Sequence, residues 1–194
     1  MSLYSIGKVI VSAVLYPIFR IKVYGKEHVP KEGPVLVCSN HISNFDPPVL
    51  GVTCPREIAF MGKSELFKFK PLGFLLKHLN VFPVKRGMQD RGALRAGLDI
   101  LAEGKTMGLF PEGTRSKDGK LGKPLPGIGF FAMRSEAKIV PCAIIGSYKG
   151  VKALKVVYGP PIEMEELRER KASAKEVSQV IMDEIQLLIN KHVG

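Results

Sequence analysis

Short apolar runs alternate along this chain with longer segments that have helical spacing. Apolar runs of about four to eight residues beside glycine or proline are typical of buried strands. Such runs lie at 33–40, 56–62, 81–87, 106–113, 137–147 and 153–162. Strands that alternate with helices predict an α/β fold: a single domain with a mainly parallel or mixed central sheet flanked by helices.

Helix boundaries are marked most clearly in two segments. In 89–105, leucines recur on one helical face, and Gly104 stands where a helix C-cap is expected. In the C-terminal part of the chain, Ser173 and Glu176 form a capping box ahead of a run with helical periodicity. We therefore predict helices in both segments.

The N-terminal run "VIVSAVLYPIF" (9–19) is apolar and is bracketed by Lys8 and Arg20. It is shorter than the roughly 20 apolar residues that a membrane-spanning helix needs. No signal-peptide cleavage site follows it. A short apolar helix is expected, lying either at a membrane interface or against the protein core. We accordingly divide the chain into an apolar or interfacial segment at 1–24 and one domain at 25–194.

The net charge narrows the range of partners. The chain has 194 residues, and 29 Lys and Arg against 18 Asp and Glu give a net charge of +11. Such a surplus indicates an anionic partner, such as nucleic acid, an acidic membrane surface or a phosphorylated substrate. Because no nucleic-acid recognition motif is present, no nucleic-acid partner is expected.

The cysteines carry no sign of metal binding. Cys38, Cys54 and Cys142 have no zinc-site spacing, and an odd number fits no disulfide framework. Buried free thiols in a reducing compartment, and no metal site, are the expectation.

The stretch "SNHISNFDPP" (39–48) contains His41 and Asp46, five residues apart. On one regular helix their side chains would diverge by roughly 140°. They can meet only where the chain changes direction, such as between a strand and a helix that begins near Asp46. Pro47 and Pro48 suit the first turn of such a helix. The alternative is that Asp46 is only a helix N-cap.

Two further stretches could bind an anion. "LFPEGTRS" (109–116) follows a predicted strand, and Gly113 and Arg115 could provide backbone N–H groups and a guanidinium for a phosphate. "NVFPVKRG" places Lys85 and Arg86 after another strand. The alternative for both is a solvated polar turn.

The stretch "LFKFKPLGFLLKHL" mixes apolar and basic side chains. Its helical spacing is interrupted by a proline and a glycine. Phe67, Phe69, Phe74 and Leu75 could form the wall of an acyl-chain groove or contact a membrane. His78 has no acidic neighbour in sequence and is expected to be structural or interfacial.

Taken in order, these stretches resemble the 1-acyl-sn-glycerol-3-phosphate acyltransferase (lysophosphatidic acid acyltransferase) family. Four family blocks match over roughly 20–160, at Asn40, His41 and Asp46; at Phe82 and Arg86; at Phe110–Ser116; and at Val140 and Pro141. One departure lies in "PLPGIGF", where Pro126 replaces the lysine that many members carry before the first glycine.

The resemblance implies roles for the matched residues. His41 would be the general base and Asp46 its partner. The substrate phosphate would be bound by the arginine of the second block and by the third block, that is, by Arg86, Glu112, Gly113, Thr114 and Arg115. A neutral imidazole can take a proton from an attacking hydroxyl, and a carboxylate can fix its tautomer.

The resemblance also implies the reaction. A fatty acyl group would pass from acyl-CoA or acyl carrier protein, with no other cofactor, to the sn-2 hydroxyl of lysophosphatidic acid, giving phosphatidic acid. The enzyme would sit as a peripheral or monotopic protein on anionic lipid at the cytoplasmic face of a membrane. Two alternatives are an acceptor such as glycerol 3-phosphate or another lysophospholipid, and a non-catalytic protein that binds anionic lipid.

Overall fold

A mixed sheet of seven strands forms the centre of the computed structural model, which describes residues 3–84, 90–116, 118–150 and 152–193. The strands are β1 (Lys22–Tyr24), β2 (Val35–Ser39), β3 (Ile58–Lys63), β4 (Val81–Val84), β5 (Thr106–Leu109), β6 (Lys138–Ile145) and β7 (Lys155–Tyr158). The helices are α1 (Leu3–Phe19), α2 (Asp46–Thr53), α3 (Lys70–His78), α4 (Arg91–Ala102), α5 (Pro126–Arg134), α6 (Glu165–Glu169) and α7 (Ala174–His192). Short 3₁₀ turns lie at Lys26–His28 and Ser64–Phe67.

The strand order is β1-β7-β6-β2-β5-β3-β4. Neighbouring strands are parallel except β6 and β7, which are antiparallel. The predicted α/β class with a mixed sheet is therefore confirmed. Strand β2 lies between β6 and β5 and is parallel to both, so the carboxyl ends of these three strands meet at one edge of the sheet.

Both faces of the sheet are covered. Along β2, Val35 and Val37 belong to a core shared with α1 and α2, whereas Leu36 and Cys38 belong to a core shared with α4, α5 and α7. This alternation follows from the two-residue period of a strand. Because each face packs on helices, β2 is buried along its whole length.

Several predicted boundaries are confirmed. Helix α4 is followed by Gly104, whose φ of 73° is the left-handed conformation that favours glycine after a helix. Helix α7 is capped by Ser173, whose hydroxyl accepts from the N–H of Glu176 at 3.2 Å.

The predicted helical region at 65–80 is divided. A 3₁₀ turn ends at Phe67, and α3 begins at Lys70, so that Pro71 lies in the first turn of α3. Gly73 does not interrupt the helix. It is buried within α3, where a Cβ would lie 2.9 Å from the carbonyl oxygen of Phe67. The sequence did not predict α5, which begins at Pro126, a residue suited to a first helical turn.

Helix α1 has two different faces. On one face Tyr4 and Leu15 are buried, and the Tyr4 hydroxyl accepts from the N–H of Ile58 at 3.1 Å. The large apolar side chains that are exposed are Leu3, Ile6, Val9, Ile10, Val14 and Ile18. One face of α1 therefore packs on the protein core, and the placement of the exposed face at a membrane interface stays a prediction.

Two further facts bear on the N-terminal segment. Strand β1 (Lys22–Tyr24) pairs with β7, so the last residues of the 1–24 segment belong to the sheet. Over 3–84, 90–116, 118–150 and 152–193, no helix has the length and hydrophobicity required to cross a bilayer.

Candidate active site

The candidate site lies at the edge where β2, β5 and β6 end. His41 follows β2, Glu112 follows β5, and Tyr148 follows β6. Ligand sites of parallel α/β sheets are commonly found at this edge, because the loops after adjacent strands converge there. The order of the strands thus brings together residues that are far apart in sequence.

His41 and Asp46 form a buried pair. The Nδ1 atom of His41 lies 2.7 Å from Oδ2 of Asp46, and the two residues are only 8% and 0% exposed. The chain turns between them, where the N–H of Asp46 donates to the carbonyl of Ser43 at 3.2 Å, and α2 then begins. The change of direction that the five-residue spacing requires is therefore present.

Asp46 does not cap α2. The N-cap position is Phe45, and Asp46 is the first helical residue. Its Oδ2 atom accepts from the N–H groups of Ile42 at 2.6 Å and Ser43 at 2.7 Å, which precede the helix. The N-cap alternative for Asp46 is therefore wrong, since a capping carboxylate accepts from residues that follow it.

The second oxygen of Asp46 contacts a residue that the sequence did not indicate. The Tyr148 hydroxyl donates to Oδ1 of Asp46 at 2.7 Å. Tyr148 lies 102 residues further along the chain, and its placement depends on β6 lying beside β2. The signal available in the sequence was its position in the loop after the Val140–Pro141 strand.

The ring of His41 is held by stacking as well as by Asp46. Its centroid lies 4.1 Å from that of Phe110, with the two planes 20° apart. Because Nδ1 contacts Asp46, the other ring nitrogen, Nε2, is left for a substrate. His41 also lines a cavity.

The backbone of His41 is tied to the third block. The N–H of His41 donates to Oε1 of Glu112 at 3.0 Å, and the N–H of Ser116 donates to the carbonyl of His41 at 2.7 Å. Asn40 adds a link to β6, since its side chain donates to the carbonyl of Ile144 and accepts from its N–H. The loop at 110–116 and strand β6 therefore hold the backbone that carries the imidazole.

Glu112 makes framework contacts. It is buried, and its Oε2 atom accepts from the N–H of Gly122 at 3.0 Å while Oε1 accepts from His41. A carboxylate also repels a phosphate of the same charge. The structure thus gives Glu112 contacts to two loops, and its expected contact with a substrate phosphate stays a prediction.

The cavity beside His41 has a volume of about 380 Å³ and walls that are mainly apolar. It is lined by His41, Phe60, Met61, Val84, Asp90, Ala93, Leu94, Gly108, Leu109, Phe110, Pro111, Gly113, Leu125, Gly127, Ile128 and Phe131. This size and lining suit a hydrocarbon chain with its reactive end at the imidazole.

A second cavity of about 410 Å³ is lined mainly by polar and charged residues, with three basic and two acidic side chains. It is lined by Glu112, Thr114, Arg115, Ser116, Asp118, Lys120, Leu121, Gly122 and Lys123. The expected phosphate-binding residues are therefore divided, since Gly113 lines the cavity of His41 while Thr114 and Arg115 line the second one. Lys85 and Arg86 lie outside the described residues.

Comparison with known proteins decides the family. A family model described as Acyltransferase matches residues 20–145. The chain is 33% identical over 149 residues to the 1-acyl-sn-glycerol-3-phosphate acyltransferase of Bacillus subtilis, with 73% of each chain covered. This chain belongs to the 1-acyl-sn-glycerol-3-phosphate acyltransferase family. It is an acyltransferase.

Other relatives of this acyltransferase agree. It is 32% identical to the chloroplastic 1-acyl-sn-glycerol-3-phosphate acyltransferase LPAT1 of Arabidopsis thaliana, over 74% of this chain and 41% of that one. The crystal structure of the 1-acyl-sn-glycerophosphate acyltransferase PlsC from Thermotoga maritima superposes with a TM-score of 0.70 at 26% identity. The superposition covers 92% of this chain and 80% of that one.

The acyltransferase does not use the expected aromatic stretch to line the cavity of His41. Phe67, Phe69, Phe74 and Leu75 line neither cavity described above. Phe69 and Phe74 are instead 67% and 65% exposed, and Leu75 is also exposed. Their placement does not support an acyl-groove wall and leaves membrane contact as their expected role.

The cysteines and His78 lie outside the candidate site. Cys38, Cys54 and Cys142 are free and buried, and burial raises the pKa of all three thiols, which disfavours the reactive thiolate. The Nδ1 atom of His78 lies 2.8 Å from the carbonyl of Phe74 in its own helix. Within 3–84, 90–116, 118–150 and 152–193, no three His, Cys, Asp or Glu residues cluster as a metal site would require.

Proposed function

We propose that this acyltransferase transfers a fatty acyl group from an acyl thioester to the sn-2 hydroxyl of lysophosphatidic acid, with His41 as general base. The observation that carries the proposal is the 2.7 Å contact between Nδ1 of His41 and Oδ2 of Asp46 beside an apolar cavity. The names of the relatives from Bacillus subtilis and Arabidopsis thaliana, which identify the same acceptor, support it.

Proton transfer follows from the orientation of the imidazole. Nε2 of His41 takes the proton of the sn-2 hydroxyl as the oxygen attacks the thioester carbonyl. Asp46 accepts from Nδ1–H and stabilises the imidazolium that forms. When the tetrahedral intermediate collapses, the carbon–sulfur bond breaks and the departing thiolate takes the proton from Nε2. The products are an ester and a free thiol, and no acyl-enzyme is required.

The acyl chain of the donor would occupy the cavity beside His41. Leu94, Ile128 and Phe131 contribute apolar walls to it, and His41 lies in its lining. Placing the chain there brings the thioester carbonyl to the imidazole, because the carbonyl carbon is the first atom of the chain. Acyl-CoA and acyl carrier protein share this part of their structure and are both anionic, so either can be the donor.

The phosphate of the acceptor would be bound by the third block. Arg115 is exposed in the second cavity, and Lys120 and Lys123 add two further cations to its lining. A guanidinium binds a phosphate through paired, charge-assisted hydrogen bonds. Gly113, Thr114 and Arg86 are proposed to complete this phosphate-binding site. Glu112 would act by holding the loop that carries these groups.

Membrane association is proposed from the exposed apolar side chains. Val9, Ile10, Val14 and Ile18 of α1 and Phe69 of the α3 region are exposed. With a net charge of +11, such surfaces suit peripheral or monotopic binding to anionic lipid at the cytoplasmic face. Vesicle flotation tests this proposal: binding to anionic vesicles is expected, and no binding to them would contradict it.

The proposed reaction is tested by measuring thiol release and identifying the lipid product by mass. Lysophosphatidic acid, glycerol 3-phosphate and lysophosphatidylcholine are offered in turn with palmitoyl-CoA or palmitoyl carrier protein. The expected result is fastest thiol release with lysophosphatidic acid and formation of phosphatidic acid. Faster turnover of either other acceptor would overturn the choice of acceptor.

A further inference from the structure

Tyr148 makes a hydrogen bond to the carboxylate that the proposed base depends on. Its hydroxyl donates to Oδ1 of Asp46 at 2.7 Å. The other oxygen, Oδ2, has three close partners: His41 Nδ1 and the N–H groups of Ile42 and Ser43. Among the described residues, Oδ1 receives its hydrogen bond from Tyr148 alone. Without that hydroxyl, one oxygen of a fully buried carboxylate would lack a donor.

The ring of Tyr148 is fixed by aromatic neighbours. It packs edge-on against Phe19, at the end of α1, with centroids 4.9 Å apart, and lies 5.8 Å from Phe45. Burial, and then the nearby Asp46 carboxylate, raise the pKa of Tyr148 well above its ordinary value. The hydroxyl therefore stays protonated and keeps donating throughout the pH range in which imidazole chemistry operates.

We propose that Tyr148 is a positioning residue for acyl transfer, acting through Asp46 to orient His41 and to set how strongly the imidazolium is held. The inference rests on the proposed function of His41 as general base. A donor on Oδ1 fixes the rotation of the carboxylate and draws negative charge away from Oδ2. Both effects reach His41 through Asp46.

Removing the Tyr148 hydroxyl is expected to strengthen the interaction between Asp46 and the His41 imidazolium. In Tyr148→Phe, Asp46 keeps its charge but loses a donor, so more negative charge faces His41 and the imidazolium is held more strongly. Other titratable groups near the pair include Glu112, bound to the His41 N–H, Asp90, which lines the same cavity as His41, and the buried Cys142 thiol, whose pKa is raised chiefly by burial.

The test compares Tyr148→Phe with Tyr158→Phe. The Tyr158 hydroxyl also makes a buried hydrogen bond, to Thr53 at 2.9 Å, but it lies outside the proposed site. In each variant kcat, KM for lysophosphatidic acid, the pH profile of kcat/KM and the melting temperature are measured. Phenylalanine keeps the aromatic packing. The melting temperatures show whether each variant remains folded.

We expect Tyr148→Phe to lower kcat about tenfold, because the Asp46 carboxylate loses the bond that orients it toward His41. This factor corresponds to one hydrogen bond to a charged group. KM is expected to stay unchanged, and the acidic limb of kcat/KM to move to higher pH. Tyr158→Phe is expected to match the wild type in kcat and in the acidic limb. A wild-type kcat in Tyr148→Phe, or a lower kcat with an unmoved acidic limb, would overturn the proposal, because a merely structural role leaves that limb in place.

A parallel His41→Ala variant separates this inference from the proposed function. If His41→Ala is inactive while Tyr148→Phe behaves as wild type, only the role of Tyr148 fails. If His41→Ala turns over at the wild-type rate, the general base is itself wrong, and the inference fails with it.

Discussion

Asn40 and Ile144 exchange two hydrogen bonds across 104 residues of chain. The side-chain amide of Asn40 donates to the carbonyl of Ile144 at 2.9 Å and accepts from its N–H at 2.7 Å. A side chain thereby continues the pairing of β2 with β6 one residue beyond the end of β2 at Ser39. His41 follows directly, so its starting position is set by the sheet.

Asn40→Ala should reduce both stability and turnover. Two buried backbone groups of Ile144 would lose their partners, which costs about 2–3 kcal/mol in the free energy of unfolding. Urea unfolding measures this loss, and thiol release is expected to fall because His41 loses its anchor. The matched control is Asn190→Ala, since Asn190 is exposed and bonds to Gln186 on the surface of α7. Equal unfolding free energies in the two variants would contradict this account of Asn40.

Asp46→Asn tests the partner of the proposed base. An amide keeps the shape of the side chain but offers only one acceptor oxygen and no charge, so the imidazolium is no longer stabilised. We expect kcat to fall by at least about 100-fold with little change in KM. The control is Asp183→Asn, on the exposed face of α7. A wild-type kcat in Asp46→Asn would show that Asp46 has no part in catalysis.

Leu94 tests the assignment of the acyl-chain cavity, because it lines that cavity from α4. Leu94→Trp narrows the space and should lower kcat/KM for a palmitoyl donor relative to an octanoyl donor. Leu94→Ala widens the space and should shift the same ratio in the opposite direction. The ratio is measured by thiol release with both donors. If both variants keep the wild-type ratio, the acyl chain binds elsewhere.

Substitution of Arg115 tests the proposed phosphate-binding site. Arg115→Ala removes a guanidinium from the second cavity, so KM for lysophosphatidic acid should rise about tenfold or more. The effect on kcat should be smaller. Arg134→Ala is the control, because Arg134 is exposed, lies over the Phe130 ring and lines neither cavity. An unchanged KM in Arg115→Ala would show that Arg115 does not bind the substrate phosphate.

The sequence predicted the parts of the site that depend on local chain direction. His41 and Asp46 could be paired because Pro47 and Pro48 indicated a helix start, and α2 does begin at Asp46. The class of the fold followed from strands alternating with helices. The strong periodicity of the leucines likewise predicted α4, which the Asp90 side chain caps by accepting from the N–H of Ala93.

Contacts that depend on strand order could not be predicted. The sequence does not say that β6 lies beside β2, and the bond from Tyr148 to Asp46 and the pairing of Asn40 with Ile144 both require it. The two backbone partners of Glu112, His41 and Gly122, could not be predicted for a related reason, because they come from separate loops. The acyl-groove prediction for the stretch with Phe69 and Phe74 was not supported, because an apolar run in a sequence does not reveal what it packs against.

The most direct test of the central claim is the rate of thiol release by His41→Ala with lysophosphatidic acid and a saturating acyl donor. We predict a loss of at least about 100-fold in kcat, since a positioned general base contributes about 10²–10⁴ in rate. The melting temperature should stay close to that of the wild type, which would show that the loss is chemical. Turnover by a folded His41→Ala variant at the wild-type rate would contradict the assignment of His41 as the general base.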